Sequence, residues 1–150
     1  MDDGYLDIFW ALLKMGKFKE IQNTVPEDFD WSVLHPTNKI PILVEALNSL
    51  DWSRDVKQLD NIEWLIRRGA SHSQKCAQAN ACFKIFKKNK PDVKLQVAFG
   101  GLSCVSYIEA WMQEFKGKED WQGDRKFLEE AMVRIARASR QRQTRPRASV

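Results

Sequence analysis

The feature that most restricts the fold of this chain is an internal repeat. Residues 40–71, IPILVEALNSLDWSRDVKQLDNIEWLIRRGAS, share a pattern with residues 104–139, CVSYIEAWMQEFKGKEDWQGDRKFLEEAMVRIARAS. Each reads as a helix carrying a Glu-Ala pair (Glu45-Ala46, Glu109-Ala110), a polar loop with a tryptophan (Trp52, Trp121), and a second amphipathic helix ending in Ala-Ser. The two pairs lie 64 residues apart, close to two units of about 33 residues, a spacing typical of stacked helical repeats. One such unit cannot bury its apolar face alone, so the pattern demands neighbouring units.

The remaining periodicity fills in those neighbours. Tyr5, Leu6, Phe9, Leu12 and Leu13 recur at helical spacing and stop at Gly16, and a short helix follows with Phe18, Ile21 and Val25 inward. Leu59, Ile62, Trp64, Leu65 and Ile66 form a helix that ends in Arg67-Arg68-Gly69, with cations in the last turn and glycine beyond it. Cys76, Ala79, Cys82, Phe83 and Phe86 predict another helix over 74–89, stopped by Pro91. Val93, Leu95, Val97 and Phe99 alternate with Lys94, Gln96 and Ala98, which predicts one short extended arm over 93–99. Ser103 is a candidate cap for the helix 103–115. Residues 140–150 show no apolar period and are expected to be a disordered, Arg-rich tail or linker after a domain spanning 1–139.

These strings resemble the ankyrin-repeat family. Asn38-Lys39-Ile40-Pro41-Ile42-Leu43-Val44-Glu45-Ala46 is similar to the family's G-x-T-P-L-H-x-A-A opening, and Asn61–Ser71 is similar to its second helix and L-L-x-x-G-A-D ending. Residues 7–22, DIFWALLKMGKFKEIQ, resemble an opening repeat, and Gly101-Leu102-Ser103-Cys104 a degenerate later start. Leu43 stands where the family has its hydrogen-bonding histidine, Ile40 replaces threonine, and the loop near 51–58 is long. The resemblance implies an all-α, ankyrin-like stack of helix-turn-helix units, about seven helices with the one extended arm. Such a scaffold recognises proteins on its concave and loop face.

Composition narrows the chemistry. The two histidines, His35 and His72, leave little for a histidine-based catalytic cluster. No phosphate-loop, dinucleotide, zinc-protease or nucleophile-elbow string occurs, so the chain reads as non-enzymatic and without a cofactor. Three cysteines argue against a disulfide framework and for an intracellular, cytoplasmic or nuclear setting. His72, Cys76 and Cys82 match no compact zinc spacing, so both cysteines read as small buried hydrophobes. No run approaches the about 18 apolar residues of a membrane span, and the acidic start lacks the basic flank of a signal peptide.

Charge is uneven. Residues 1–63 carry a net −6, residues 64–136 a net +5, and the last fourteen residues add five arginines. The reading reached here is non-catalytic protein–protein recognition, with Trp31, Trp52, Asp55, Lys57 and Trp121 as partner contacts, since tryptophan anchors interfaces when exposed. Loop tryptophans that roof the core are the plainer alternative. A second function is nucleic-acid or acidic-surface binding through Lys84, Lys87, Lys88, Lys90, Arg140, Arg142, Arg145 and Arg147. A third is a structural subunit of a large assembly. Arg137-Ala-Ser139 and Arg147-Ala-Ser149 also resemble sites of basophilic kinases.

Overall fold

The computed structural model describes residues 3–87 and 90–144. Three helix pairs follow one another: α1 (Asp3–Lys14) with α2 (Phe18–Thr24), α3 (Ile42–Asn48) with α4 (Leu59–Arg68), and α5 (Cys104–Phe115) with α6 (Gln122–Thr144). The inner helices α1, α3 and α5 pack in sequence, and α4 packs against α6. Ser103 caps α5 by accepting the Ser106 N–H at 3.2 Å. Gly69 ends α4 at φ 137°, and a Cβ there would lie 3.1 Å from the Trp31 ring. The position therefore excludes side chains on both conformational and steric grounds.

The sequence repeat is an architectural one. Both later pairs run helix, loop, one 3-10 turn (Val56–Gln58, Glu119–Trp121) and helix. Gln58 and Gln122, 64 residues apart, do the same work in each. The Gln58 amide donates to the carbonyls of Asp51 and Asp55 at 2.9 and 3.0 Å. The Gln122 amide donates to those of Phe115 and Lys118 at 3.0 and 2.8 Å. The Gln58 clamp satisfies two carbonyls of the loop and the Gln122 clamp one at the end of α5 and one in the loop, and each fixes the entry into the next helix. Trp52 and Trp121 are not equivalent. Trp52 lies before its 3-10 turn and Trp121 lies inside its own.

The all-α expectation is overturned by a two-stranded antiparallel sheet, β1 (Cys82–Lys87) with β2 (Lys90–Ala98). Cys82 pairs with Ala98 and Phe86 with Lys94, with an irregularity between Phe86 and Lys87. The helix expected over 74–89 is absent among the described residues, so there are six α-helices rather than seven. The apolar residues of CFKIFK also fit a period of two. Phe83, Ile85 and Lys87 turn inward, and Cys82, Lys84 and Phe86 outward. What decides between the readings is the partner. The extended arm 93–99 needs a strand to take its N–H and C=O groups, and residues 82–87 are the segment within reach. At the hairpin base, Gly100 passes so close to the chain that a Cβ would lie 2.6 Å from the Gln78 carbonyl oxygen and nearer still to that of Ala79.

The expected tail is also corrected. Residues 140–144 continue α6, and 145–150 lie outside the described residues. The Arg142 guanidinium donates to the carbonyls of Ile66 and Ala70 at 3.0 and 3.1 Å. It thereby caps the C-terminus of α4, where carbonyls lack intrahelical partners and the helix dipole favours a cation. Ser139 is 7% exposed and shares a 2.9 Å hydrogen bond with His72 Nδ1. A kinase cannot reach a serine so placed in the folded chain, and Ser149 lies outside the described residues.

One apolar core runs from Phe9 to Ala138. Beside it Glu63, 4% exposed, receives Arg137 at 2.8 Å and Arg134 at 2.9 Å, and Arg134 also bonds Asp60 at 2.8 Å and Glu130 at 3.1 Å. A buried carboxylate is tolerated only when such partners replace water. Glu63→Ala strips α4 of the acceptor that holds α6, and is expected to lower the unfolding free energy by about 3 kcal/mol in urea titrations. An unchanged midpoint would show that the arginines find equivalent partners elsewhere.

Candidate interaction groove

The hairpin determines where a partner could sit. Its inward face closes over the loops that connect the later helix pairs: the Phe83 ring lies 6.2 Å from Trp52 and 6.5 Å from Trp111. Lys87 Nζ sits 4.5 Å above the Trp121 ring and 3.5 Å from Asp124 Oδ1, and Lys90 pairs with Asp120 at 3.3 Å. Trp121 stacks on Phe115, which stacks on Trp111, at 5.5 and 5.3 Å. An ammonium over an aromatic face beside a carboxylate is favourable on both counts. Burial pushes the Asp124 carboxyl above its ordinary value, and Lys87 works against that rise.

The three loop tryptophans are therefore core residues. Trp31, Trp52 and Trp121 are 8%, 4% and 3% exposed, so none offers the exposed ring that an interface anchor requires. The cause is local for two of them. In Asp30-Trp31-Ser32 and Asp51-Trp52-Ser53 the aspartate Oδ1 accepts both the backbone N–H and the hydroxyl of the serine two residues on. The distances are 2.9 and 2.6 Å in the first and 3.0 and 2.6 Å in the second. This side-chain turn reverses the chain around the tryptophan, and each ring lies in the core. The recurring D-W-S string was legible in the sequence as a turn signal. Of the other expected contacts, Asp55 caps the 3-10 turn by accepting the Lys57 N–H at 2.9 Å, and both residues are exposed.

Of the expected anion-binding set, Lys87 and Lys90 are spent on Asp124 and Asp120, and Arg142 on the end of α4. Arg140 lies on α6, away from the hairpin lysines in sequence, and has an interaction within the fold. Lys84 is exposed on β1, while Lys88, Arg145 and Arg147 lie outside the described residues. Lys84, Lys87 and Lys90 line one groove, where Lys87 and Lys90 are paired with Asp124 and Asp120, whereas Arg140 and Arg142 lie on α6 and line neither groove.

Two open grooves lie along β1 and share Asn48 and Phe83. The larger, of 680 Å³, runs between Phe83–Lys87 and the loop Leu50–Ser53, reaching Asp120, Trp121 and Asp124. The smaller, of 500 Å³, is bounded by Trp10 and Lys14 of α1, the turn 35–38, Glu45 of α3 and Cys82. Both sizes suit a bound segment or small molecule. Sequence reasoning named Trp52, Trp121, Lys84, Lys87 and Lys90 of the larger groove, divided between two functions, and missed the smaller groove, whose walls come from α1, the turn 35–40, α3 and the base of the hairpin.

In the smaller groove the half-buried Glu45 carboxylate makes no hydrogen bond or ion pair with a described residue; burial raises it above the ordinary value, and Lys14 works against that rise. Trp10 Nε1, in the same wall, is buried without a hydrogen-bond partner. His35 Nδ1 accepts the backbone N–H groups of Thr37 and Asn38 at 3.1 and 3.0 Å, which places the imidazole proton on Nε2. His35 lines the groove with its Nδ1 already occupied as an acceptor. Burial, with Lys14 and Lys39 nearby, lowers its pKa. Among the described residues no group of three metal-ligating side chains is assembled, and no helix is long and apolar enough to cross a membrane.

The two shifts act oppositely on stability. Neutral His35 supports the fold fully above its ordinary value of 6.5, and that support is lost as pH falls. Charged Glu45 penalises the fold at neutral pH, and the penalty fades as pH falls toward its ordinary value of 4.5. Urea titrations from pH 7.5 to about pH 4.5 should show Glu45→Gln more stable than wild type only at the upper end. His35→Ala should flatten the loss on the acid side of 6.5.

Comparisons with protein-family models, with curated proteins and with solved structures find no match to this chain.

Proposed function

We propose that this chain is a non-catalytic recognition module that holds a segment of a partner protein in the paired grooves along β1. The observation that carries this reading is the Trp10 N–H, buried without a hydrogen-bond partner, beside the half-buried Glu45 carboxylate and an apolar wall of Ile40, Phe83 and Phe99. Unsatisfied groups of this kind cost stability in the free protein, and a ligand that satisfies them recovers that cost as affinity. The walls combine helices and a paired strand with the loop Leu50–Ser53 and the turn 35–38, which are held by the Asp51 and His35 side chains.

The same residues speak against catalysis. Cys82 lines the groove opposite His35, but the histidine nitrogen that could act as a base is already accepting two N–H bonds. The Ser139–His72 pair joins α6 to the turn after α4 and lines neither groove.

Panning a random twelve-residue peptide library against the immobilised protein tests the proposal. Enriched peptides are expected to shift the amide resonances of Glu45, Asn48, Trp52 and Phe83. Glu45→Lys should weaken them about tenfold while the chain stays folded by circular dichroism. Peptides that map to other surfaces, or no enrichment at all, would overturn it.

A further inference from the structure

The backbone of β1 adds something that the groove side chains do not. At the hairpin base the Phe99 N–H donates to the Ala81 carbonyl at 2.9 Å, which sets the phase of the ladder. Antiparallel pairing alternates bonded and non-bonded pairs. Phe83 and Ile85 thus bond across to Val97 and Leu95, while Cys82, Lys84 and Phe86 turn their N–H and C=O groups to the other edge. Those outward groups meet no described residue outside the sheet. Among the described residues the sheet has two strands, so this edge is open. It is also the edge on the groove side: Cys82 and Phe83 line one groove and Phe83–Lys87 the other, whereas β2 contributes only Lys90.

We infer that the partner segment binds as an added β-strand on the free edge of β1, and that it is an extended peptide of another protein alternating apolar and acidic residues. This inference rests on the recognition reading above and specifies its mode. Main-chain bonds to Cys82, Lys84 and Phe86 supply the pairing, and alternate side chains select the sequence. Inward residues of the added strand lie over Leu50 and Trp52, which asks for apolar side chains. Outward residues lie beside Lys84, which has no ion-pair partner among the described residues, and beside Phe86, which is 58% exposed. That face asks for a carboxylate. A second copy of this chain is the wrong occupant. Pairing β1 with its own copy brings Lys84 and Lys87 of both molecules to one seam, and lysines on an edge strand oppose such self-pairing.

The probe is a capped eight-residue peptide of alternating valine and aspartate, added to the full chain. Its counterparts carry lysine for aspartate, or N-methyl groups at alternate amides. The expected result is slowed hydrogen exchange at the Cys82, Lys84 and Phe86 amides with the valine–aspartate peptide and none with the N-methylated one. Lys84→Glu should weaken the aspartate peptide about three- to fivefold and strengthen the lysine peptide. Exchange at β1 unchanged at millimolar peptide, or equal binding by the N-methylated form, overturns strand addition. If peptides from the library still shift Glu45 and Asn48 in that case, groove recognition survives without it. A dimer in sedimentation, with these amides already protected in the free chain, overturns the inference in favour of self-pairing.

Discussion

The carboxylate of Glu63 is the point on which the arrangement of the later helices turns. It is buried on α4, and its water has been replaced by Arg134 and Arg137 of α6. That exchange is favourable only in one geometry, because a buried charge tolerates little displacement of its partners. The geometry sets the position of α6 along α4, and Arg142 completes it by closing the end of α4. The first turn of the same α6 carries Asp124, which receives Lys87 from the hairpin. A chain of contacts therefore leads from one ion network to the placement of β1, and from β1 to the grooves beside it.

The hairpin explains why so much aromatic surface is hidden. Trp111, Phe115 and Trp121 form a stacked column, Trp52 packs edge-on to Trp111, and the inward face of β1 lies over them. A lysine on the inward face of a strand would be costly without Asp124 and the Trp121 ring to receive it. What remains open is the strip between β1 and the inner helices, where the buried Trp10 N–H lacks a partner beside Glu45. Local cost at a place with room for a ligand is a feature of binding sites more than of structural ones.

Much of the helical framework was legible in the chain. The apolar stripes locate α1 to α6, Gly16 and Gly69 mark two stops, and Ser103 marks a start. The two segments share the order helix, loop, 3-10 turn, helix, and Gln58 and Gln122 mark that likeness more than the tryptophans do, although α4 ends at Arg68 and α6 runs on to Thr144. The segment 74–89 was misread because helical and alternating periods both fit its apolar residues, and short apolar runs do not separate the two. The tryptophans were misplaced because polarity of the flanking residues is a poor guide to a side chain that the turn directs inward.

The amino-acid sequence by itself determined the elements whose reasons are local: helix periods, caps, the two D-W-S turns and the paired helix-loop-helix units. Tertiary structure decided everything that needs a distant partner. Residues 82–87 become a strand only because residues 90–98 pair with them, the arginines near the C-terminus become structural only because Glu63 and the end of α4 receive them, and the groove exists only where β1 passes α1 and α3. Local propensity is worth fractions of a kcal/mol per residue, on the order of 0.5. A strand partner or a buried charge is worth more, which is why the long-range contacts had the final word.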